Sequence, residues 1–332
     1  MSEVAVITGA SAGIGRATAR ECARRGCSVA LLARGNDGLR AAAREIEQLG
    51  GTALVIPTDV ADNAQVDRAA DEVADTFGRI DIWVNNAFAG IYARFIDMTP
   101  DEYRRTTEVT YFGQVHGTRA ALRHMLPRNS GSIVLVGSAL AYRGIPLQTA
   151  YCAAKHALQG FLDSLRCELL EMDSKVRLAM VQLPGVNTPQ FDWIRTRLRG
   201  RPTPVGALYQ PEVAAKAIWK AAHSRRKEWI VGMPTYQAIF GDKLLSSLLD
   251  RYLARTAVDA QQDEHPLEPG RKDNLFEPVP GDHGAHGRFD ERARSRSPLL
   301  WASEHRNLIM GGLTLALGVA GFALAKGEYH HA

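Results

Sequence analysis

The sequence has few cysteines, no block of one charge and no leader-like start, and each absence narrows the class of protein. Its 332 residues include four cysteines, none in a CxxC pair or at a zinc-like spacing, so we predict reduced thiols and no disulfide. The net charge of +4 is too small, and the basic residues too scattered, to indicate nucleic-acid binding. The chain begins with a strand-like run instead of a charged segment before a long apolar one, so no signal peptide is predicted. His283 and His286 have no further ligands in register, and no metal site is expected.

Short apolar runs alternate with helix-like stretches from residue 3 to about residue 240. The runs are rich in β-branched residues and lack polar alternation, as expected of a parallel sheet covered on both faces. They span residues 4–8, 28–33, 52–57, 80–87, 132–138 and 176–184. This alternation predicts a doubly wound, Rossmann-like α/β domain over residues 1–255.

A glycine-rich turn follows the first run. The stretch "VITGASAGIGRATA" places Gly9, Gly13 and Gly15 between a strand and a helix. Glycine lets the backbone approach a ligand closely, and a helix N-terminus offers N–H groups and a positive dipole to a pyrophosphate. The strand–turn–helix context therefore predicts a dinucleotide site that also includes Ser11 and Ile14; a merely tight turn is the alternative.

The end of the second strand indicates which dinucleotide binds. An acidic residue there would accept hydrogen bonds from a ribose 2′-hydroxyl and favour NAD. The chain instead has Ala33 followed by Arg34, which suits a 2′-phosphate, so we predict NADP, with NAD less favoured. A solvated loop arginine is the alternative for Arg34, and Arg16 is a further candidate to assist.

Together with further motifs, the glycine turn resembles that of the short-chain dehydrogenase/reductase family. The motifs are "TGASAGIG" at 8–15, "NNAFAG" at 85–90 and "YCAAK" at 151–155, with Ser138 at the family's usual spacing before the tyrosine. The resemblance covers roughly residues 3–240. It implies an oxidoreductase that transfers a hydride between a nicotinamide cofactor and a small-molecule carbonyl or alcohol, and a homo-oligomer.

The resemblance also implies roles for three residues. Tyr151 would be the general acid/base that protonates the carbonyl oxygen, and Ser138 would hold that oxygen. An unperturbed tyrosine has a pKa of about 10, so Lys155, one helical turn along, would stabilise the tyrosinate and also bind the nicotinamide ribose. A coincidental Tyr–Lys pair on a helix surface is the alternative.

Other positions match the family with less force. The resemblance implies that Asp59 and Val60 contact the adenine ring and that Asn86 and Ala87 shape the cofactor floor. Asn86 has a structural strand cap as an equal alternative.

Two positions depart from the family's pattern. Thr110 stands where an asparagine often holds a water that links Lys155 to solvent, so we expect an altered or slower proton relay. Thr188 lies one position earlier than the family's usual threonine and would contact the nicotinamide carboxamide. Its alternative role is the N-cap of the following helix.

Substrate specificity is expected from the loop at 87–95 and from the segment at 189–213. Their aromatic residues, Tyr92, Phe95, Phe191 and Trp193, are predicted to line an apolar pocket. The alternating residues Arg195, Arg197, Arg199 and Arg201 either form a solvated face or meet an anionic substrate or lipid headgroups.

The C-terminal part has a different composition. Residues 256–306 are polar and aperiodic, which predicts an irregular arm that docks in places. Residues 308–325 contain no charge and no proline, so a terminal apolar helix over 307–326 is predicted to cross a membrane once. The arginines before it would keep the catalytic domain in the cytoplasm. A helix packed on its own domain or on a partner subunit, in a soluble cytoplasmic protein, is the alternative.

A rival function for the whole protein is an NADP-binding, membrane-tethered scaffold or sensor without turnover.

Overall fold

The computed structural model of the protein describes residues 2–306 and residue 308. In this part of the chain, the largest sheet consists of β1 Val4–Thr8, β2 Ser28–Ala33, β3 Thr52–Pro57, β4 Ile82–Asn85, β6 Ser132–Val136, β7 Arg177–Gln182 and β12 Glu228–Ile230. All pairs are parallel, and the order is β12-β7-β6-β4-β1-β2-β3. The chain adds strands on one side of β1 and then crosses to the other side with β4. The loops after β1 and β4 therefore diverge, which opens a crevice at the carboxyl edge of the sheet.

Helices cover both faces of this sheet: α1, α2 and α8 lie on one face, and α3, α5 and α6 on the other. The α-helices of the described residues are α1 Gly13–Arg24, α2 Asn36–Gln48, α3 Asn63–Phe77, α4 Pro100–Thr107, α5 Gly113–Met125, α6 Thr149–Glu171, α7 Gln190–Trp193, α8 Pro211–Ala222, α9 Met233–Thr256 and α10 Pro298–Glu304. In β1, Ala5 and Ile7 face the layer of α1, α2 and α8, whereas Val4 and Val6 face the layer of α3, α5 and α6. Both faces of the strands are thus buried, which explains the unbroken apolar runs.

Short strands join the segment after β7 to the loop after β4 and to the C-terminal arm. They are β5 Ile91–Tyr92, β8 Gly185–Val186, β9 Arg195–Thr196, β10 Gly200–Pro202, β11 Leu208–Tyr209, β13 Gln262–Pro266 and β14 Ala293–Arg294. β5 of the loop pairs with β9. β13 pairs with β10, and β14 extends the small sheet of β11 and β8. Leu275 and Phe289 of the arm are buried. The arm therefore docks on the domain, as predicted.

The structure confirms the predicted doubly wound fold. Each of the six predicted runs contains a strand of the main sheet, and the strands β4, β6 and β7 are shorter than the runs predicted for them. The edge strand β12 was missed because it spans only three residues in a charged context. The four cysteines form no disulfide, as expected.

The predicted terminal membrane helix lies almost entirely outside the residues that the structure describes. Apart from residue 308, the segment 307–326 lies outside the described residues, so this stays a prediction. Among residues 2–306 and 308, no helix combines the length and the apolar content that a bilayer span requires.

Candidate functional site

The glycine turn between β1 and α1 forms the floor of the crevice. Gly9 and Gly13 adopt φ values of +67° and +56°, which residues with a side chain rarely adopt. A Cβ at Gly15 would lie 2.2 Å from the carbonyl oxygen of Gly9, so only glycine allows α1 to start this close to β1. The turn thus brings the N-terminus of α1 to the pocket, where the first N–H groups of a helix have no partner within the helix. The N–H of Gly13 donates to the carbonyl oxygen of Gly284 in the arm at 3.1 Å.

Most of the residues predicted to bind the cofactor line one pocket. Its lining includes Gly9, Ser11, Gly13, Ile14, Arg34, Asp59, Val60, Asn86, Ala87 and Thr188. These residues follow different strands, so their approach depends on the parallel sheet and not on local sequence. Gly15, Tyr151, Lys155, Ser138 and Thr110 do not line it. Gly15 supports the turn from behind, and the others belong to the neighbouring cluster described below.

Arg34 lies at the end of β2 and is only partly exposed. Its guanidinium donates hydrogen bonds to the backbone carbonyls of Asn274 and Phe276 in the C-terminal arm. Burial, with a further contribution from Arg105, lowers the pKa of Arg34, but a guanidinium remains charged. The alternative of a solvated loop arginine is therefore wrong: Arg34 is a fixed cation in the pocket wall.

Arg16 does not have the role predicted for it. Its side chain is 3% exposed and forms ion pairs with Glu45, at 2.8 Å, and with Asp282 of the arm. Its charge is already compensated by two carboxylates. Arg16 therefore connects α1 to α2 and to the arm.

Asn86 and Ala87 follow β4 and line the pocket directly beside Gly9 of the glycine turn. The side-chain nitrogen of Asn86 donates to the carbonyl oxygen of Thr8 at 2.9 Å, and both backbone N–H groups donate to the Thr8 hydroxyl. Asn86 thus caps the strand ends and shapes the pocket at the same time, so its two predicted roles coexist.

Ser138, Tyr151 and Lys155 form a cluster beside this pocket. Ser138 follows β6, and its hydroxyl oxygen accepts a hydrogen bond from the N–H of Leu140 at 3.1 Å. Tyr151 and Lys155 lie one turn apart on α6, and the Lys155 nitrogen is 5.6 Å from the centroid of the tyrosine ring. Phe88, which lines the cofactor pocket, packs edge-on against Tyr151 with ring centroids 5.9 Å apart. The cluster therefore adjoins the end of the pocket.

The electrostatics of the cluster differ from the expectation. Burial lowers the pKa of Lys155 to about 7, and its nitrogen donates to the carbonyl oxygen of Val136 at 2.7 Å. Burial raises the pKa of Tyr151, and the Ser138 hydroxyl opposes that rise. The protein alone does not lower the pKa of Tyr151, because the amine that would do so is itself desolvated.

Thr110 lies in a π-helical turn, Glu108–Phe112, between α4 and α5. Its hydroxyl donates to the carbonyl oxygen of Ala89 at 2.8 Å and accepts from the Ala89 N–H at 3.0 Å. The single proton of the Thr110 hydroxyl is thus donated to the carbonyl oxygen of Ala89. In this geometry Thr110 fixes the loop after β4, and we find no contact in the described residues that links it to Lys155.

Thr188 is buried beside the glycine turn. A Cβ at Gly13 would lie 3.1 Å from its methyl carbon, so the two residues are in contact across the pocket. Helix α7 has Pro189 at its N-cap position and no side-chain cap. The alternative role of Thr188 as a helix cap is therefore wrong.

The aromatic residues predicted to line a substrate pocket separate into three environments. Tyr92 and Phe191 are buried in one cluster with Ile194, Leu208 and Phe289. Phe95 is 65% exposed. Trp193 lines the cofactor pocket, where its ring packs against His283 with centroids 4.4 Å apart.

The alternating arginines mostly pair with carboxylates of the same chain. Arg195 and Arg197 both bind Glu102, at 2.6 and 2.7 Å, although Glu102 is 2% exposed. Glu102 also caps the start of α4 by accepting from the N–H of Thr99. Arg201 lies 3.7 Å from Asp263, whereas Arg199 is exposed. The run is thus neither a simple solvated face nor a free anion site.

Sequence reasoning missed part of the pocket wall. Asn274, Pro278, Val279, Gly281 and His283 of the arm line the same pocket as the glycine turn. The arm has no periodicity, so only its isolated apolar residues indicated docking and nothing indicated where. Among the described residues, no cluster of metal-binding side chains is present. His286 instead contacts Glu212 at 2.8 Å.

The fold and the position of the pocket define a doubly wound α/β protein with a glycine-rich cleft at its switch point. The chain belongs to the short chain dehydrogenase family, whose model matches residues 3–198. It is 31% identical to the uncharacterised oxidoreductase YxnA of Bacillus subtilis over 326 residues, which cover 98% of this chain and 90% of that protein. This family membership makes it an oxidoreductase.

Two further proteins, one named for its substrate and one solved with a cofactor, are also similar to this chain. The 3-dehydrosphinganine reductase of Danio rerio is 32% identical over 228 residues, which cover 65% of this chain and 67% of that protein. A metagenomic short-chain oxidoreductase solved in complex with NADP aligns with a TM-score of 0.59 and 30% identity, covering 70% of this chain and 97% of the other.

Proposed function

We propose that the protein is an NADP(H)-dependent carbonyl reductase or alcohol dehydrogenase. The observation that carries the proposal is the placement of Ser138, Tyr151 and Lys155 beside a pocket that also contains the glycine turn and Arg34. The chemistry of these groups fits the dinucleotide. Backbone N–H groups at the start of α1 suit its pyrophosphate, and the Arg34 guanidinium suits its 2′-phosphate. A structural relative that binds NADP supports the choice of cofactor.

The mechanism assigns each group of the cluster a task. NADPH would supply the hydride to the substrate carbon. Tyr151 donates its phenolic proton to the carbonyl oxygen. Because the Ser138 oxygen already accepts from Leu140, its own proton is directed elsewhere and can donate to the same carbonyl oxygen. Lys155, with its pKa near 7, is partly charged at neutral pH, and its charged form stabilises the tyrosinate left after proton transfer. The reverse steps oxidise an alcohol.

We propose that the substrate is lipophilic. Support comes from Phe95 and Ile96, which are 65% and 85% exposed in the loop that also contributes Tyr92 to the buried aromatic cluster. Similarity to a reductase named for a long-chain ketone supports the same class. The predicted membrane helix at 308–325 would agree with this choice, but the proposal does not depend on it.

NADPH consumption by the full-length protein tests the function. We expect turnover with long-chain ketones or aldehydes, and slower turnover with short, water-soluble homologues that carry the same carbonyl group. Faster reaction with the short homologues would contradict the lipophilic substrate. Tight NADPH binding without turnover of any carbonyl would instead favour the scaffold or sensor.

The variant Arg34→Ala tests the choice of cofactor. Removal of one charged hydrogen-bonding partner of a phosphate is expected to lower kcat/KM for NADPH by about 10- to 100-fold and leave that for NADH nearly unchanged. Arg40→Ala, at an exposed site on α2, is the matched control. An equal loss with both cofactors would show that Arg34 does not bind the 2′-phosphate.

A further inference from the structure

The C-terminal arm crosses the cofactor pocket. We define the strap as residues 273–287. It contacts the segments that follow three strands of the main sheet: Gly13 after β1, Arg34 after β2 and Thr188 after β7. Arg105 connects it to Asp59 after β3. In the middle of the strap, Pro278, Val279, Gly281 and His283 line the pocket. The strap therefore forms the wall that the parallel sheet itself does not supply.

Buried residues anchor the strap at both ends. Leu275 is fully buried in the core on the α3 and α5 side, and its carbonyl oxygen accepts from Arg105, which also binds Asp59 at 2.5 Å. At the other end Ala285 is buried against Ala17 and Ala215 of α1 and α8. These anchors fix where the strap enters and leaves the pocket.

The stretch between the anchors is held mainly by polar contacts, together with the ring contact between His283 and Trp193. Asp282 pairs with Arg16, the N–H of Gly281 donates to the Asp37 carboxylate at 3.0 Å, and the carbonyl of Gly284 accepts from the N–H of Gly13 at 3.1 Å. Gly281 and Gly284 have φ values of +103° and +68°, and residues 280–282 are exposed. The polar contacts of Gly281 and Asp282 can break without exposing apolar surface, whereas wider opening also separates the His283 and Trp193 rings. The exposed residues 280–282 are therefore the part of the strap that opens at the smallest cost.

The strap also orients the guanidinium of Arg34, which is proposed to bind the 2′-phosphate. Two carbonyl oxygens, of Asn274 and Phe276, accept from different nitrogens of Arg34. A guanidinium is planar and has five N–H donors, so two fixed acceptors orient the plane and leave other donors for a ligand. An arginine already held in this way loses less side-chain entropy when a phosphate binds.

We propose that the strap is a cofactor-retaining element, which closes over bound NADP(H), orients Arg34 toward the 2′-phosphate and must open for cofactor exchange. The inference rests on the proposed NADP(H) site. It assigns to the arm a function that the sheet, the glycine turn and the catalytic cluster do not provide.

The variant Asp282→Asn of the full-length protein tests this inference. It removes the ion pair with Arg16, while Arg16 stays neutralised by Glu45 through two hydrogen bonds of 2.8 and 3.0 Å. NADPH release, followed by stopped-flow displacement with excess NADP⁺, is expected to become about three- to tenfold faster. Glu291→Gln, at an exposed site beyond the strap, is the matched control and should release NADPH like the wild type.

Two kinetic results would overturn the proposal. One is an unchanged release rate in Asp282→Asn. The other is faster association with unchanged release, which would mean that the strap blocks the pocket and does not retain the cofactor. If the wild type binds no NADPH, the proposed function fails together with the strap. If it binds and uses NADPH but release is unchanged, the strap alone fails.

Hydrogen exchange of the wild type gives a second test that needs no variant. NADP⁺ is expected to slow amide exchange in peptides covering residues 276–287, and 2′,5′-ADP is expected to slow it more than 5′-AMP does. Faster exchange on binding would show that the cofactor displaces the strap, and unchanged exchange would show that the strap is not part of the site.

Discussion

The variant Tyr151→Phe is expected to lower turnover of the best carbonyl substrate by about a thousandfold, since a positioned general acid typically contributes 10²- to 10⁴-fold. The phenyl ring keeps the edge-on contact with Phe88 and the packing of α6. NADPH binding, measured by fluorescence titration, should therefore change by less than about threefold.

The exposed Tyr252 of α9 offers a matched control, because Tyr252→Phe removes the same hydroxyl from a solvent-exposed side chain. It should retain wild-type turnover. If Tyr151→Phe also retained turnover, another group would have to supply the proton, and the proposed mechanism would be wrong. If Tyr151→Phe lost NADPH binding as well, the loss of turnover would reflect a structural change and not the missing proton donor.

The variant Lys155→Met is expected to have opposite effects on activity and on stability. Turnover should fall by about a hundredfold or more, because the charge that stabilises the tyrosinate is gone. The folded protein should become more stable near neutral pH, since a buried amine is replaced by an apolar side chain of similar length. Urea unfolding and NADPH consumption of the same preparation measure both effects.

The pH dependence of stability isolates the contribution of Lys155. Burial lowers its pKa from 10.5 to about 7. Between these two values Lys155 holds a proton in the unfolded chain that the folded protein releases, so this residue adds stability as pH rises from 7 to about 10.5. The gain approaches about 1.4 kcal/mol per pH unit. Lys155→Met should lack this slope, and equal slopes in both proteins would contradict the buried position of the amine.

Local sequence signals predicted the main sheet and the centre of the site because each is encoded within a few residues. The buried strands require unbroken apolar runs on both faces. The turn at Gly9 and Gly13 requires positive φ, and the pair of Tyr151 and Lys155 requires one helical turn. Each requirement leaves a short pattern in the chain.

The parts that were missed depend on contacts between distant segments. Arg16 pairs with Asp282, and Arg34 with the carbonyl of Phe276, across more than 240 residues of chain. Backbone carbonyls carry no sequence pattern at all, so no inspection of the arm could reveal its contact with Arg34. Thr110 was interpreted through a family position, whereas its hydroxyl is satisfied by Ala89 on the neighbouring loop.

The buried carboxylate of Glu102 has a consequence for protein engineering. It joins the start of α4 to Arg195 and Arg197 in the segment after β7, so two parts of the chain that are distant in sequence form one structural module. Grafting residues 189–213 from a relative without both arginines would leave this acid unpaired in the interior. Chimeras that exchange Glu102 together with this segment should therefore fold more readily than those that exchange the segment alone.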